Sequence, residues 1–142
     1  MVDKERVLTK IDELQRYLKD LKRILPSDFP GYQEVEKKRS CERLLQLSIE
    51  CTIDICKLLV MGLKLGVPAG EDDIFDKVTA AKILDAGAAD VLKKMRGLRN
   101  ILVHEYAEVD DELIFGILSS DLNDFDVFIS RIKDYLRRGD SC

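Results

Sequence analysis

The chain holds a single histidine, His104, and sets it in the run Arg99-Asn100-Ile101-Leu102-Val103-His104-Glu105-Tyr106. Imidazole is the side chain that both takes and gives protons near neutral pH. A guanidinium keeps its charge and presents a planar fork matched to phosphate oxygens. Together they suit metal-independent cleavage of an RNA phosphodiester, which needs a base for the 2′-hydroxyl, an acid for the leaving 5′-oxygen and positive charge on the phosphorane. His104 is the candidate acid or base. Arg99 is the candidate stabiliser of the transition-state charge. Asn100 can position a phosphate or orient the imidazole through a one-turn contact, or it is an ordinary solvated helix residue. A lone histidine near a helix C-terminus also serves simply as a surface or capping group favoured by the helix dipole.

The spacing predicts that this run ends a helix. Ala88, Leu92, Met95, Leu98 and Leu102 recur at three- and four-residue steps over residues 88–104. At about 100° per residue, Asn100 and His104 fall about 40° apart, whereas Arg99 and His104 are about 140° apart and flank one edge. Arg99 lies near the line of Met95, Leu102 and Leu92, which points to a site against a second surface. Residues 107–110 break the pattern, so His104 and Tyr106 stand at the helix end or just past it.

These residues resemble the signature of the HEPN domain family (higher eukaryotes and prokaryotes nucleotide-binding), in its HepT-type toxin branch. There the pattern is Arg, four residues, His, one residue, Tyr, usually with Asn after the Arg. Arg99, Asn100, His104 and Tyr106 match each position. Met95, Gly97 and Leu98 before the motif, Leu102-Val103 inside it and Asp110-Asp111-Glu112 after it are also similar to the family, as are Glu42 to Gln46 and Ile49 to Ile55 further back. Arg96 replaces the small residue usual at its position, and Glu105 fills the free position before Tyr106, which sets an acid beside the histidine.

The resemblance implies an RNase toxin of a toxin–antitoxin pair, homodimeric, with the two Arg–His motifs facing each other across a cleft. A second copy of His104 would then complete the acid–base pair. The implied partner is a minimal nucleotidyltransferase antitoxin that silences the toxin by transferring AMP to Tyr106. An anionic adduct so near the histidine would block the cleft and repel RNA. On the residues alone, Tyr106 reads equally as a packing tyrosine with its hydroxyl at the surface.

A chain of 142 residues suits one domain, here residues 1–142, with a real core. Hydrophobic residues make up 46% and charged residues 35%, ordinary for a helical, water-soluble protein. No apolar run follows Met1-Val2-Asp3-Lys4 and no stretch is long and apolar enough for a membrane span, so the expectation is a cytoplasmic protein with no membrane partner. Cys41, Cys51, Cys56 and Cys142 lack metal or redox spacing and read as reduced thiols; no metal or cofactor is expected.

A net charge of −4 speaks against broad nucleic-acid binding, so local clusters matter more. Lys93, Lys94, Arg96 and Arg99 precede His104; Lys37, Lys38, Arg39 and Arg43 form a second group. Most read as solvated faces paired with nearby acids such as Glu34, Glu36 and Glu42. Arg39 and Arg43, one turn apart, are the candidates for an outer RNA contact. Glu50 and Asp54, also one turn apart, have no histidine beside them and receive no catalytic role.

The expected fold is all-α, an up-and-down helical bundle of four to five helices, which the resemblance makes dimeric. Val7, Ile11, Leu14, Leu18, Leu21 and Leu25 mark a first helix at near-heptad spacing, ended by the turn residues Pro26 to Gly31. A second runs from about Tyr32 to Leu65, apolar on two sides and stopped by Gly66-Val67-Pro68. Asp72 or Asp73 caps a short third helix through Leu84, and Asp110 or Asp111 opens a last helix reaching about Arg137. The leading functional reading is the ribonuclease toxin. The alternatives are a non-catalytic nucleotide-binding or adaptor module partnered with a nucleotidyltransferase, and a purely structural bundle.

Overall fold

A computed structural model describes residues 1–104 and 109–139. Among the described residues there are seven helices and no strand: α1 (Lys4–Ile24), α2 (Phe29–Tyr32), α3 (Val35–Gly62), α4 (Glu71–Ala80), α5 (Ala86–Val103), α6 (Asp111–Ser120) and α7 (Asn123–Gly139). None of them is long and apolar enough to cross a membrane.

The heptad reading of α1 is what the packing uses. Asp3 caps the helix by accepting from the Arg6 N–H, and Val7, Ile11, Leu14, Leu18 and Leu21 are all buried against α3. Helix α3 is the central element and touches α1, α2, α4 and α5. From Ser48 to Val60 it is buried on nearly every side. Ser48 and Thr52 sit in that interior because their hydroxyls donate to the carbonyls of Leu44 and Ser48, at 2.7 and 3.0 Å, so neither hydroxyl is left unsatisfied. Cys41, Cys51 and Cys56 are buried free thiols; burial pushes the Cys51 thiol up to about 12. Cys142 lies outside the described residues.

Several expectations about the elements are corrected. Tyr32 belongs not to the long helix but to the one-turn α2, which Asp28 caps by accepting from Gly31 N–H at 2.8 Å. Its ring stacks with Phe29 and meets Phe115 of α6, anchoring the turn to the bundle. The long helix ends at Gly62, before the expected stop, and Lys64 takes the left-handed conformation at φ 54°. A side chain at Gly62 would stand 2.7 Å from Val2 Cα, so the helix end is where the N-terminal backbone crosses. Finally, the expected last helix is two. Ser119-Ser120-Asp121 favours local side-chain bonding over helix, and the turn at Asp121 and Leu122 lets Leu122 enter the core. The bundle is therefore seven helices rather than four or five.

Helix α4 starts at Glu71, with Gly70 at its N-cap. Neither Asp72 nor Asp73 is the cap, and no side chain caps this helix; from inside the first turn the Asp73 carboxylate reaches back to accept from Ala69 N–H at 2.9 Å, which holds its pKa below the usual range. The helix ends at Ala80 rather than Leu84, and Ile83 and Leu84 are buried from the turn that follows. Asp85 then caps α5 by accepting from Ala88 N–H at 2.8 Å.

Candidate active site

Helix α5 carries the motif, and only Ala89 and Leu92 along it are fully buried. Met95, Leu98 and Leu102 are half-buried against the core and keep one face of the helix in place. The helix ends at Val103. His104 is the C-cap, its N–H donating to the Asn100 carbonyl at 3.3 Å while its backbone turns to an extended ψ of 110°. The histidine thus leaves the helix just where the spacing predicted, exposed and free of helical packing.

That departure places it across from α3. A cavity of about 460 Å³ is lined by Lys38, Arg39, Glu42, Arg43 and Gln46 of α3, by Leu102, His104 and Val109, and by Asp111 at the start of α6. Arg39 and Arg43, singled out as RNA contacts, therefore share a cavity with His104. Arg39 is bonded to Glu42 at 3.2 Å yet remains largely exposed. Arg43 is exposed and has no ion-pair partner among the described residues. Lys38 pairs with Asp111 at 3.3 Å and ties α3 to α6 beside the histidine.

Arg99 is not in that cavity. As the 140° offset implies, it points instead to α4, where its Nη2 makes a short contact with Glu71 Oε1, and its Nε donates to Asn100 Oδ1 at 2.9 Å. The side chain is only 15% exposed. Asn100 therefore uses its side chain to hold the arginine, and its backbone carbonyl, not its amide, receives His104. The expected one-turn contact with the imidazole is absent among the described residues because the ring stands beyond the helix end. Tyr106 and Glu105 lie outside the described residues.

Lys93, Arg96 and Arg99 have acidic partners on α4 that their order in the sequence does not reveal. Lys93 meets Asp76 at 2.7 Å, and Arg96 meets Asp72 through a two-bond fork at 2.8 and 3.3 Å. With Arg99 and Glu71 these form a ladder along two antiparallel helices. The signal lay in the spacing of Lys93, Arg96 and Arg99 at three-residue steps and in the acidic start of α4, but nothing in the sequence paired the two. Asp54 meets Lys10 of α1 at 3.6 Å, and Glu50 accepts from Gln46 at 3.1 Å, both in structural roles.

Residues 14–132 match the family model described as Ribonuclease HepT-like. The chain is 30% identical over 127 residues to the mRNA nuclease HepT of Shewanella oneidensis, covering 89% of this chain and 96% of that protein. It is 31% identical over 129 residues to the tRNA nuclease HepT of Aphanizomenon flos-aquae, covering 90% and 88% respectively. A solved structure of a tri-AMPylated Shewanella oneidensis HEPN toxin in complex with MNT antitoxin superposes with a TM-score of 0.86 at 30% identity, over 94% of this chain and 99% of that one.

Proposed function

The chain belongs to the HepT-like ribonuclease family, and from that footing we propose that it is a metal-independent endoribonuclease toxin, restrained by a nucleotidyltransferase antitoxin. The observation that carries the proposal is the shared cavity: His104 faces Arg39 and Arg43 across a space open to solvent. Those arginines supply the backbone contacts by which RNA is held, since phosphate neutralisation dominates such binding.

His104 takes the proton of the 2′-hydroxyl, the 2′-oxygen attacks phosphorus, and the bond to the 5′-oxygen breaks with a proton supplied to the leaving oxygen. The products are a 2′,3′-cyclic phosphate and a free 5′-hydroxyl. One imidazole cannot be base and acid in the same turn, so the working unit is a homodimer in which a second copy contributes its own His104. Arg99, which lies outside the His104 cavity of its own chain, bears the charge that develops on the phosphorane in the cleft between the two copies, and Asn100 steadies it.

Silencing follows from the tyrosine two residues beyond the histidine. The Tyr106 hydroxyl attacks the α-phosphorus of ATP on the antitoxin, pyrophosphate leaves, and the AMP group stays on the phenol oxygen. An added phosphodiester brings negative charge beside the cavity that must receive RNA. The AMPylated state and antitoxin complex of the structurally similar Shewanella toxin support this part of the reading.

The test is RNA cleavage by the purified protein in EDTA beside His104→Ala. The native protein is expected to leave 2′,3′-cyclic phosphate ends and the variant to lose at least about 100-fold in rate, with an unchanged circular dichroism spectrum. Equal activity in both, or none from native protein of unmodified mass, sinks the proposal.

A further inference from the structure

We propose that Glu71 is the positioning residue of Arg99: from the first turn of α4 it holds the guanidinium by one edge and leaves the opposite edge free for a phosphate. The inference rests on the ribonuclease reading of the motif for its purpose, although the hold itself is a property of the fold.

A guanidinium has two forks. One is made by Nε and the Nη2 hydrogen beside it, the other by Nη1 and the second Nη2 hydrogen. In this chain both groups of the first fork are engaged: Nε by Asn100 Oδ1 and Nη2 by Glu71 Oε1. Nη1 has no hydrogen bond among the described residues, so that end of the guanidinium can donate to a phosphate. An arginine meant only to stabilise the helix pair would show the pattern of Arg96 next to it, whose Nε and Nη2 both go to one carboxylate, Asp72. Arg99 instead divides its bonds between two acceptors on two helices, which fixes the plane of the guanidinium as well as its place.

Burial separates the three rungs. Lys93–Asp76 and Arg96–Asp72 have side chains that are 29–57% exposed, whereas Arg99 is 15% and Glu71 28% exposed. Exposed pairs are worth about 0–1 kcal/mol each, so the outer rungs contribute little and serve mainly to register α4 against α5. The inner rung is the one in a drier setting, where electrostatic contacts strengthen. Position on α4 adds to it: a carboxylate in the first turn faces the positive end of the helix dipole. Holding a catalytic group in one geometry is worth rate because the reorientation is done before the substrate arrives.

The proposal is tested with Glu71→Ala, Glu71→Gln and the control Asp76→Asn, each checked for fold and melting temperature. Two readouts are taken: kcat and KM for RNA cleavage, and the solvent exchange rate of the Arg99 Nε–H by ¹⁵N NMR. Glu71→Ala is expected to lower kcat about 10- to 100-fold with KM nearly unchanged and to speed the exchange about tenfold or more. Glu71→Gln, which keeps an acceptor oxygen, should recover part of both. Asp76→Asn should move neither, although it removes an ion pair of the same ladder.

Equal effects of Glu71→Ala and Asp76→Asn on kcat would show a structural role only and overturn the proposal. So would unchanged exchange in Glu71→Ala, or faster exchange with kcat intact. If the native protein cleaves no RNA, it is the ribonuclease reading that fails, and the exchange rates still decide whether Glu71 holds Arg99.

Discussion

Arg43 and His104 line the same cavity from two different helices, the arginine on α3 and the histidine at the end of α5. The first is an exposed cation without an ion-pair partner among the described residues. Arg43→Ala is therefore expected to weaken RNA binding several-fold and to reduce the slope of log affinity against log salt by about 1. Its effect on stability should stay within about 0.5 kcal/mol. Binding isotherms at several salt concentrations check this, and an unchanged slope would remove Arg43 from the interface.

Tyr106→Phe removes one oxygen and with it the proposed acceptor of AMP. Incubated with the cognate nucleotidyltransferase and ATP, the native protein should gain mass in steps of one AMP group while the variant stays unmodified at that position by peptide mapping. The variant should keep cleaving RNA in the presence of the antitoxin's transferase activity. An adduct appearing unchanged in Tyr106→Phe would place the modification elsewhere.

The Asp85 carboxyl is held below the usual range, chiefly by the Ala88 N–H and further by Arg131 at 2.7 Å. The folded state therefore binds this proton less readily than the unfolded chain does. The sign follows: its contribution is complete above the ordinary carboxylate value of about 4 and is lost as pH falls through the lowered one. Asp85→Asn keeps a capping oxygen and does not titrate. Its deficit in urea midpoint against the native protein should be visible at pH 7 and shrink towards pH 3. A deficit that does not change with pH would mean that the carboxylate's charge has no part in the cap.

Leu14 is fully buried in the seam between α1 and α3, far from the motif in the fold's layout. Leu14→Ala should cost about 2–5 kcal/mol through lost burial and a residual cavity. Cleavage per folded molecule should be unchanged at low temperature. Urea denaturation and activity measured on the same samples separate the two effects, and a cost under 1 kcal/mol would show that the seam closes around the smaller side chain.

What could be read beforehand divides along a physical line. Local periodicity, caps and the motif's place at a helix end depend on neighbours within a turn or two, and α1, α5 and the position of His104 were visible for that reason. Arg39 and Arg43, recognisable as two arginines one turn apart, line the cavity that holds His104. The Glu71 contact, the Lys38–Asp111 tie and the rungs from Asp72 and Asp76 join residues distant in the chain, and charge alone does not say which acid meets which base. The split between α6 and α7 was missed because Ile114, Ile117, Phe125, Phe128 and Ile132 keep a helical rhythm through the turn. Periodicity does not register a change of direction that preserves the phase. Tyr32 was misplaced for a related reason, since a single turn of helix is too short to show any rhythm.

The ladder between α4 and α5 also sets how the protein meets polyanions at a distance. Lys93, Arg96 and Arg99 each have an acid within contact, so their fields fall off as dipoles rather than as free charges. With a net charge of −4 the whole molecule repels a nucleic acid weakly from afar. Encounter is then governed by diffusion and by a few short-range arginines instead of by long-range pull. Such a surface gains little from long-range attraction to bulk nucleic acid, so discrimination falls to what fits at close quarters.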